Sequence, residues 1–214
     1  MIFDLEIKDA VLFVINIVIG FTIHEYAHAR VAAELGDETP REQNRLTLNP
    51  IAHISMVGFV MILFAGFGWA KPVQIDAEKY KNPRLGYALV AVAGPLSNLL
   101  FACLAAGLFR LLYSFSVQVF VGGQVFTFVL RFFLWATWIN VMLGVFNLLP
   151  IPPLDGSRLI HALVPSKYES LIQWYFRIGS YALLAIIVAT VVFHVSLLPI
   201  LPVTRVVSKW LLGT

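Results

Sequence analysis

The chain has 214 residues, 59% of them hydrophobic and only 13% charged, with a mean hydropathy of +0.84. A soluble domain averages about 45–50% apolar and about 25% charged residues, so this composition excludes an ordinary soluble fold and indicates an all-α polytopic membrane protein. The net charge of +3 does not call for nucleic acid, because the Lys and Arg residues are scattered through short loops, as a positive-inside bias leaves them.

Residues 1–10, MIFDLEIKDA, open the chain with an acidic rather than a basic stretch. The apolar run behind it, 9–33, is too long for a cleaved signal and is expected to remain as the first span. Inside that span lies HEYAH. His24 and His28, four residues apart, share one helix face and can present two imidazoles to one cation. Glu25, beside the first histidine, is placed to act on a metal-bound water, which is the H-E-x-x-H arrangement of zinc hydrolases. Ionisable groups within a span are costly and mark function. The competing reading is a polar helix face satisfied by neighbouring hydrogen bonds.

A catalytic zinc takes three protein ligands and a water, so a third ligand must come from elsewhere. Glu34 follows His24 at the metzincin spacing, but Val31 stands where that pattern needs a glycine turn. The helix therefore continues, and Glu34 points about 100° away from His24. It reads better as a solvated residue near the helix end. The single cysteine, Cys103, excludes an intrachain disulfide and a cysteine-based metal site.

The next apolar run, 54–68, is short and contains three glycines, so it either spans or enters and returns. Arg41 and Arg45 precede it; Lys71, Lys79, Lys81 and Arg84 follow it. Re-entry allows both basic loops to face the cytoplasm. The stretch WAKPVQIDAEKY alternates enough for a short β-hairpin. Runs 86–112 and 125–149 are long enough to span, as is 171–193. Run 195–212, broken by Pro199 and Pro202, is either a short last span or an interfacial helix. No internal repeat appears. The chain reads as one membrane-embedded domain over 1–214, with a core at about 9–165 and C-terminal helices at about 168–212.

With the basic loops inside, 86–112 runs outward, 125–149 returns, and the acidic N-terminus lies outside. Asp155, in NLLPIPPLDGSRL, then follows the inner end of 125–149. His24 lies about 12–15 Å from the inner end of the first helix. The two meet on one side only if 54–68 re-enters, and only if the proline loop dips back into the membrane. This makes Asp155 the preferred third ligand. The competing reading is that Asp155 merely opens a turn with Gly156, whose freedom permits tight turns.

In HEYAH and NLLPIPPLDG together, with RLTLNPIAHI, FGWAKPV and AGPLSNL, the chain resembles the site-2 protease family of intramembrane zinc metalloproteases over about residues 10–165. It is most similar to the minimal prokaryotic branch, which has no PDZ or CBS domain. The resemblance implies zinc held by His24, His28 and Asp155, with Glu25 as the catalytic base. It implies a three-helix core, 9–33, 86–112 and 125–149, with a re-entrant segment before the second helix. Asn147 matches the asparagine that opens the family's Pro–Asp–Gly motif, which implies contact with substrate or the reacting carbonyl. His53, in the RLTLNPIAHI motif, is weighed as a hydrogen-bonding residue near the site against a loop-capping histidine. One departure is visible: Ser55 and Met56 stand where close relatives often have Asp-Pro, at positions not expected to bind zinc.

The implied function is regulated intramembrane proteolysis. A zinc-activated water would cleave the transmembrane segment of a single-span membrane protein in a prokaryotic inner membrane, towards the cytoplasmic side. An exposed edge within 69–82 could receive the unwound substrate as an added strand. An inert zinc-binding scaffold should have lost Glu25 or a ligand, and a small transporter would more often show paired repeats. Asn16, Asn98 and Asn140 are expected to be structural, bonding across helices. His161 and His194 read as ordinary loop or helix-end residues. Trp135, Trp138, Trp174 and Trp210 fit interfacial belts or core packing.

Overall fold

A computed structural model describes residues 6–119, 123–193 and 198–213. The α-helices among them are α1 (Ile7–Glu34), α2 (Thr39–Glu42), α3 (Met56–Ala65), α4 (Pro83–Val119), α5 (Gln124–Asn147), α6 (Asp155–Leu163), α7 (Glu169–Phe193) and α8 (Ile200–Leu212). Helices α1, α4, α5 and α7 are long and apolar enough to cross a membrane, so this is a multi-pass integral membrane protein. Their limits follow the apolar runs closely, except that α4 begins at Pro83 and runs on to Val119. His194 lies outside the described residues.

Helices α1, α4 and α5 pack on one another and form the core. Near the start of α1, Asp9 meets Arg131 (3.3 Å) and Trp135 (3.0 Å) in the first half of α5, and further along Gly20 lies against Leu143 near the end of α5, so these two helices run parallel. Helix α4 runs antiparallel to them: Gly20 O accepts from Asn98, and His28, further along α1, reaches back to Val90. Lipid tails offer no hydrophobic drive for helices to associate, so close packing of small residues must supply it. A Cβ on Gly20 would lie 2.6 Å from Leu143 Cδ1, and one on Gly144 would lie 2.8 Å from Leu99. Glycine at both positions lets the three backbones close up around the buried Phe13, Ile17, Ile139 and Leu143.

The run 54–68 turns back. Helix α3 has ten residues, a length of about 15 Å, roughly half a bilayer. Ser55 caps its start by accepting from Gly58 N–H at 3.2 Å. Gly66 ends it at φ 69°, a left-handed conformation that a side chain resists. The chain then returns along its own path: Gly58 touches the Trp69 backbone, and Gly68 touches the Gly58 carbonyl. Ile54 and Ala70 form an antiparallel bridge, and Lys71 N–H donates to His53 O at 2.7 Å. Entry and exit thus lie side by side. Ile62, 1% exposed, packs into the α1–α5 core, which fixes the excursion at membrane depth.

The short β-hairpin expected within 69–82 does not form; among the described residues the bridge at Ile54 and Ala70 is isolated. The donors for a ladder are missing or spent. Pro72 has no N–H, Val73 N–H goes to Glu25, and Asp76 N–H goes to Asp37. Ala77–Lys79 then winds into a 3-10 turn.

Helix α8 has thirteen residues, about 20 Å, too short to cross as a single helix. It lies against α4 and α5, burying Thr204, Ser208 and Leu212. Helix α7 meets the proline loop: Tyr175 Oη donates to Pro150 O at 2.8 Å, and Gly179 sits against Pro152.

Candidate active site

Helix periodicity brings His24 and His28 to one face of α1, with their Nε2 atoms 3.0 Å apart. Asp155 Oδ2 completes the triangle, 3.1 Å from His24 Nε2 and 3.2 Å from His28 Nε2. All three side chains are buried. The far side of each ring is held. His28 Nδ1 donates to Val90 O at 2.7 Å, and His24 Nδ1 donates to Asn98 Oδ1 at 2.7 Å. The Asn98 amide is oriented by its own nitrogen, which donates to Gly20 O and to Asn140 Oδ1. Both Nδ1 atoms therefore carry a proton, which leaves Nε2 as the nitrogen each ring can offer to a cation.

This arrangement fits zinc. Tetrahedral zinc with Zn–N bonds of about 2.0–2.1 Å holds neighbouring ligand atoms about 3.3 Å apart, close to the spacings here. Two imidazole nitrogens and a carboxylate oxygen converging in a buried space form a donor set that a cation can satisfy. Gly94 on α4 clears that space: a Cβ there would lie 2.7 Å from His24 Nε2 and closer still to His28 Nε2.

Asp155 is the first residue of α6. Gly156 behind it is needed for room rather than for a left-handed turn. Its φ is not positive, and a Cβ would lie 2.5 Å from Leu149 O. The tight packing of α6 beneath the end of α5 is what presents Asp155 to α1. The Asp155 carboxylate is buried, with Oδ2 turned towards the two imidazoles. Its second oxygen, Oδ1, lies 3.3 Å from Arg158 Nη1.

Glu25 is buried next to His24, and its Oε2 accepts the Val73 N–H at 2.9 Å. The extended segment that supplies this amide is pinned on both sides. Buried Arg45 donates to Ala52 O, to Lys71 O (3.3 Å) and to Pro72 O (3.1 Å). Asp37, fully buried, accepts from Asp76 N–H at 2.7 Å and Thr39 N–H at 2.9 Å, with Lys79 Nζ 3.5 Å away. Burial raises the Asp37 pKa, but the Thr39 and Asp76 donors and Lys79 bring it below the ordinary value.

The structure does not join every expected site residue to this cluster. Asn147, the last residue of α5, turns its amide nitrogen back to Leu143 O at 3.0 Å. His53 is fully buried and its Nε2 donates to Thr47 O at 2.7 Å, as in a loop-fastening residue. Glu34 pairs with Arg30 at 2.8 Å on an exposed face. His161 packs between the Tyr87 and Phe176 rings, 3.6 Å from Glu169. Asn98 departs from the purely structural reading: it does bond across helices, but one of its partners is His24. The signal was its place one helical turn after Gly94, the residue that touches both histidines.

Comparison with known proteins places this geometry in a family. The profile of Peptidase family M50 matches residues 12–190, a stretch that contains His24, Glu25, His28 and Asp155. The chain is 46% identical over 154 residues to the "Putative zinc metalloprotease YwhC" of Bacillus subtilis, covering 71% of this chain and 68% of the relative. It is 29% identical over 182 residues to the "Putative zinc metalloprotease Rip2" of Mycolicibacterium smegmatis, covering 78% and 64%. It is 26% identical over 159 residues to the "Zinc metalloprotease MJ0392" of Methanocaldococcus jannaschii, covering 74% of this chain but 36% of that protein. No solved structure matches the chain significantly. With a buried two-histidine, one-carboxylate triangle inside the matched stretch, the chain belongs to peptidase family M50, the site-2 protease family of zinc metalloproteases.

Proposed function

We propose that this protein is an intramembrane endopeptidase that cleaves the transmembrane segments of single-span membrane proteins near the cytoplasmic face. His24, His28 and Asp155 are the zinc ligands and Glu25 is the general base. The observation that carries this reading is the convergence of His24 Nε2, His28 Nε2 and Asp155 Oδ2 within 3.2 Å, with both Nδ1 atoms engaged elsewhere. The depth agrees: His24 lies ten residues before the end of α1, about 15 Å from it.

A zinc ion bound there supplies Lewis acidity, acidifying a water and polarising the scissile carbonyl. Glu25 does the proton work. Val73 N–H occupies Oε2, which leaves Oε1 to take the proton from water and return it to the leaving amine. The Asn98 and Val90 acceptors keep the imidazoles aimed, so the site needs no rearrangement on binding a cation. Asn147 is assigned to the substrate side, where its amide would exchange Leu143 O for the substrate backbone. His53 serves the loop that roots the re-entrant segment. The extended stretch 71–76, with Gln74 exposed, is the proposed contact surface for an unwound substrate, through side chains rather than by strand addition, since the Lys71, Val73 and Asp76 amides are already engaged. The loops carrying Arg41, Lys71, Lys79 and Lys81 face the cytoplasm by their charge.

The test is proteolysis of a single-span substrate in reconstituted vesicles by the wild type and by Glu25→Gln. Glu25→Gln should abolish cleavage while the protein keeps its zinc; equal cleavage by the two proteins sinks the mechanism. Zinc content unchanged in Asp155→Ala sinks the ligand assignment. An inert scaffold is favoured only if the wild type binds zinc and cleaves nothing.

A further inference from the structure

We propose that Arg158 is a positioning residue for the metal site, holding Asp155 as a one-oxygen ligand; this rests on the ligand assignment above. A carboxylate can offer a metal one oxygen or both. Here the two oxygens are divided. Oδ2 lies 3.1 and 3.2 Å from the histidine Nε2 atoms, and Oδ1 lies 3.3 Å from Arg158 Nη1. For Asp155 to become bidentate, Oδ1 must swing towards the metal and leave the guanidinium.

The local fold makes this division stable. Asp155 and Arg158 sit at i and i+3 in the first turn of α6, on the same face. The turn is fixed by Gly156, which fits only under the Leu148 and Leu149 carbonyls, and by Ser157 Oγ donating to Leu154 O at 2.6 Å. The Asp155 carboxylate, 8% exposed, is screened little by water, whereas the Arg158 side chain remains 25% exposed. The contact is an ion pair at 3.3 Å, and the rigid guanidinium plane fixes where that charge sits relative to Oδ1. Among the described residues Asp155 is the carboxylate within ion-pair reach of Arg158.

The consequence concerns coordination number. Two imidazoles and one carboxylate oxygen leave the fourth tetrahedral position to water, as a catalytic zinc requires. A bidentate Asp155 would fill or crowd that position. The histidine rings have neutral acceptors behind them, Asn98 Oδ1 and the Val90 carbonyl. Arg158 is thus the one cationic partner that the ligand set has among the described residues.

Cobalt(II) substituted for zinc in the full-length protein in detergent reads this directly, since its visible absorption is intense when four-coordinate and weak when five-coordinate. Arg158→Ala and Arg158→Met, the latter keeping the apolar stem, should each lower that absorption severalfold and shift the bands. Chelator competition should show about a 10–100-fold weaker site, the usual effect of losing a group that orients a ligand. Arg158→Lys, which keeps the positive charge beside Oδ1, should keep most of the wild-type spectrum. If Arg158→Met binds cobalt with the wild-type spectrum and affinity, Arg158 does not position Asp155 and the proposal is overturned. If Asp155→Ala also leaves the spectrum unchanged, it is the ligand assignment that fails. A general loss of packing would lower cobalt content without changing the spectrum per bound ion, and that too refutes the proposal.

Discussion

Gly94 lies where α4 passes the two histidines, and Gly94→Ala would place one methyl group against the metal position. The added carbon would be 2.7 Å from His24 Cε1 and Nε2, where ordinary contact begins at 3.4 Å. His24 would have to retreat by about 0.7 Å, and His28 by more. Neither ring is free to do so, since each is fixed by a 2.7 Å bond behind it. Metal sites tolerate about 0.2 Å in ligand distance, so the site should lose zinc affinity by at least about 100-fold, no less than a disturbed ligand orientation costs. The fold should survive. Overpacking costs about 1–3 kcal/mol, and alanine regains about 0.8–1.0 kcal/mol of helix propensity over glycine. The assay is zinc content per purified chain, with substrate cleavage alongside. Gly107→Ala is the matched control, because it lies on the same helix with no atom within 4 Å of an added Cβ; it should keep full zinc and activity. Wild-type zinc retention in Gly94→Ala would refute the placement of α4 against the histidines.

Other outcomes follow from the same geometry. Asn98→Ala removes the acceptor for His24 Nδ1 and the donor to Gly20 O, so zinc affinity should fall about 10–100-fold, measured by chelator competition; Asn98→Asp should recover part of it. Gly58→Val sets a branched side chain into the Trp69 backbone, so the return of the re-entrant run cannot close, and cysteines placed at 67–70 should gain reactivity towards membrane-impermeant reagents. Asp37→Asn should loosen the 71–79 segment, read by hydrogen exchange, by about 1.5–3 kcal/mol at neutral pH, the range for hydrogen bonds to a charged group. The sign with pH is fixed by the lowered pKa of Asp37. Its stabilisation is fully present above the unfolded value of about 3.9 and is lost as pH falls through the lower folded value, so the two proteins should converge in acid.

The parts of the site that one helix determines were legible in the sequence. His24 and His28 share a face because four residues make about one turn, whatever surrounds them. Asp155 was legible through two motifs in order and through a charge argument that required the 54–68 run to return, as it does. What depends on the contact of separate helices was not legible. Asn98 reaches His24 only because Gly20 and Gly144 let three backbones approach, and no local pattern fixes that register. The 69–82 segment alternates like a strand, yet its amides are taken by the Glu25 and Asp37 side chains, which lie far away in sequence. Gly156 looked like a residue of conformational freedom and is instead a residue of small volume. Such a difference depends on which carbonyls lie above it.

The bond between Val73 N–H and Glu25 has a consequence for how this protein can change over time. A backbone amide is the same whichever side chain follows it. Val73 itself, 7% exposed, is kept apolar by burial, but its exposed neighbour Gln74 can vary in size, charge and polarity while the hold on Glu25 remains. Proline is the one coded residue that removes the donor. On the proposed function, recognition and chemistry would meet at this peptide unit, and mutation of the exposed side chains could tune the first without touching the second.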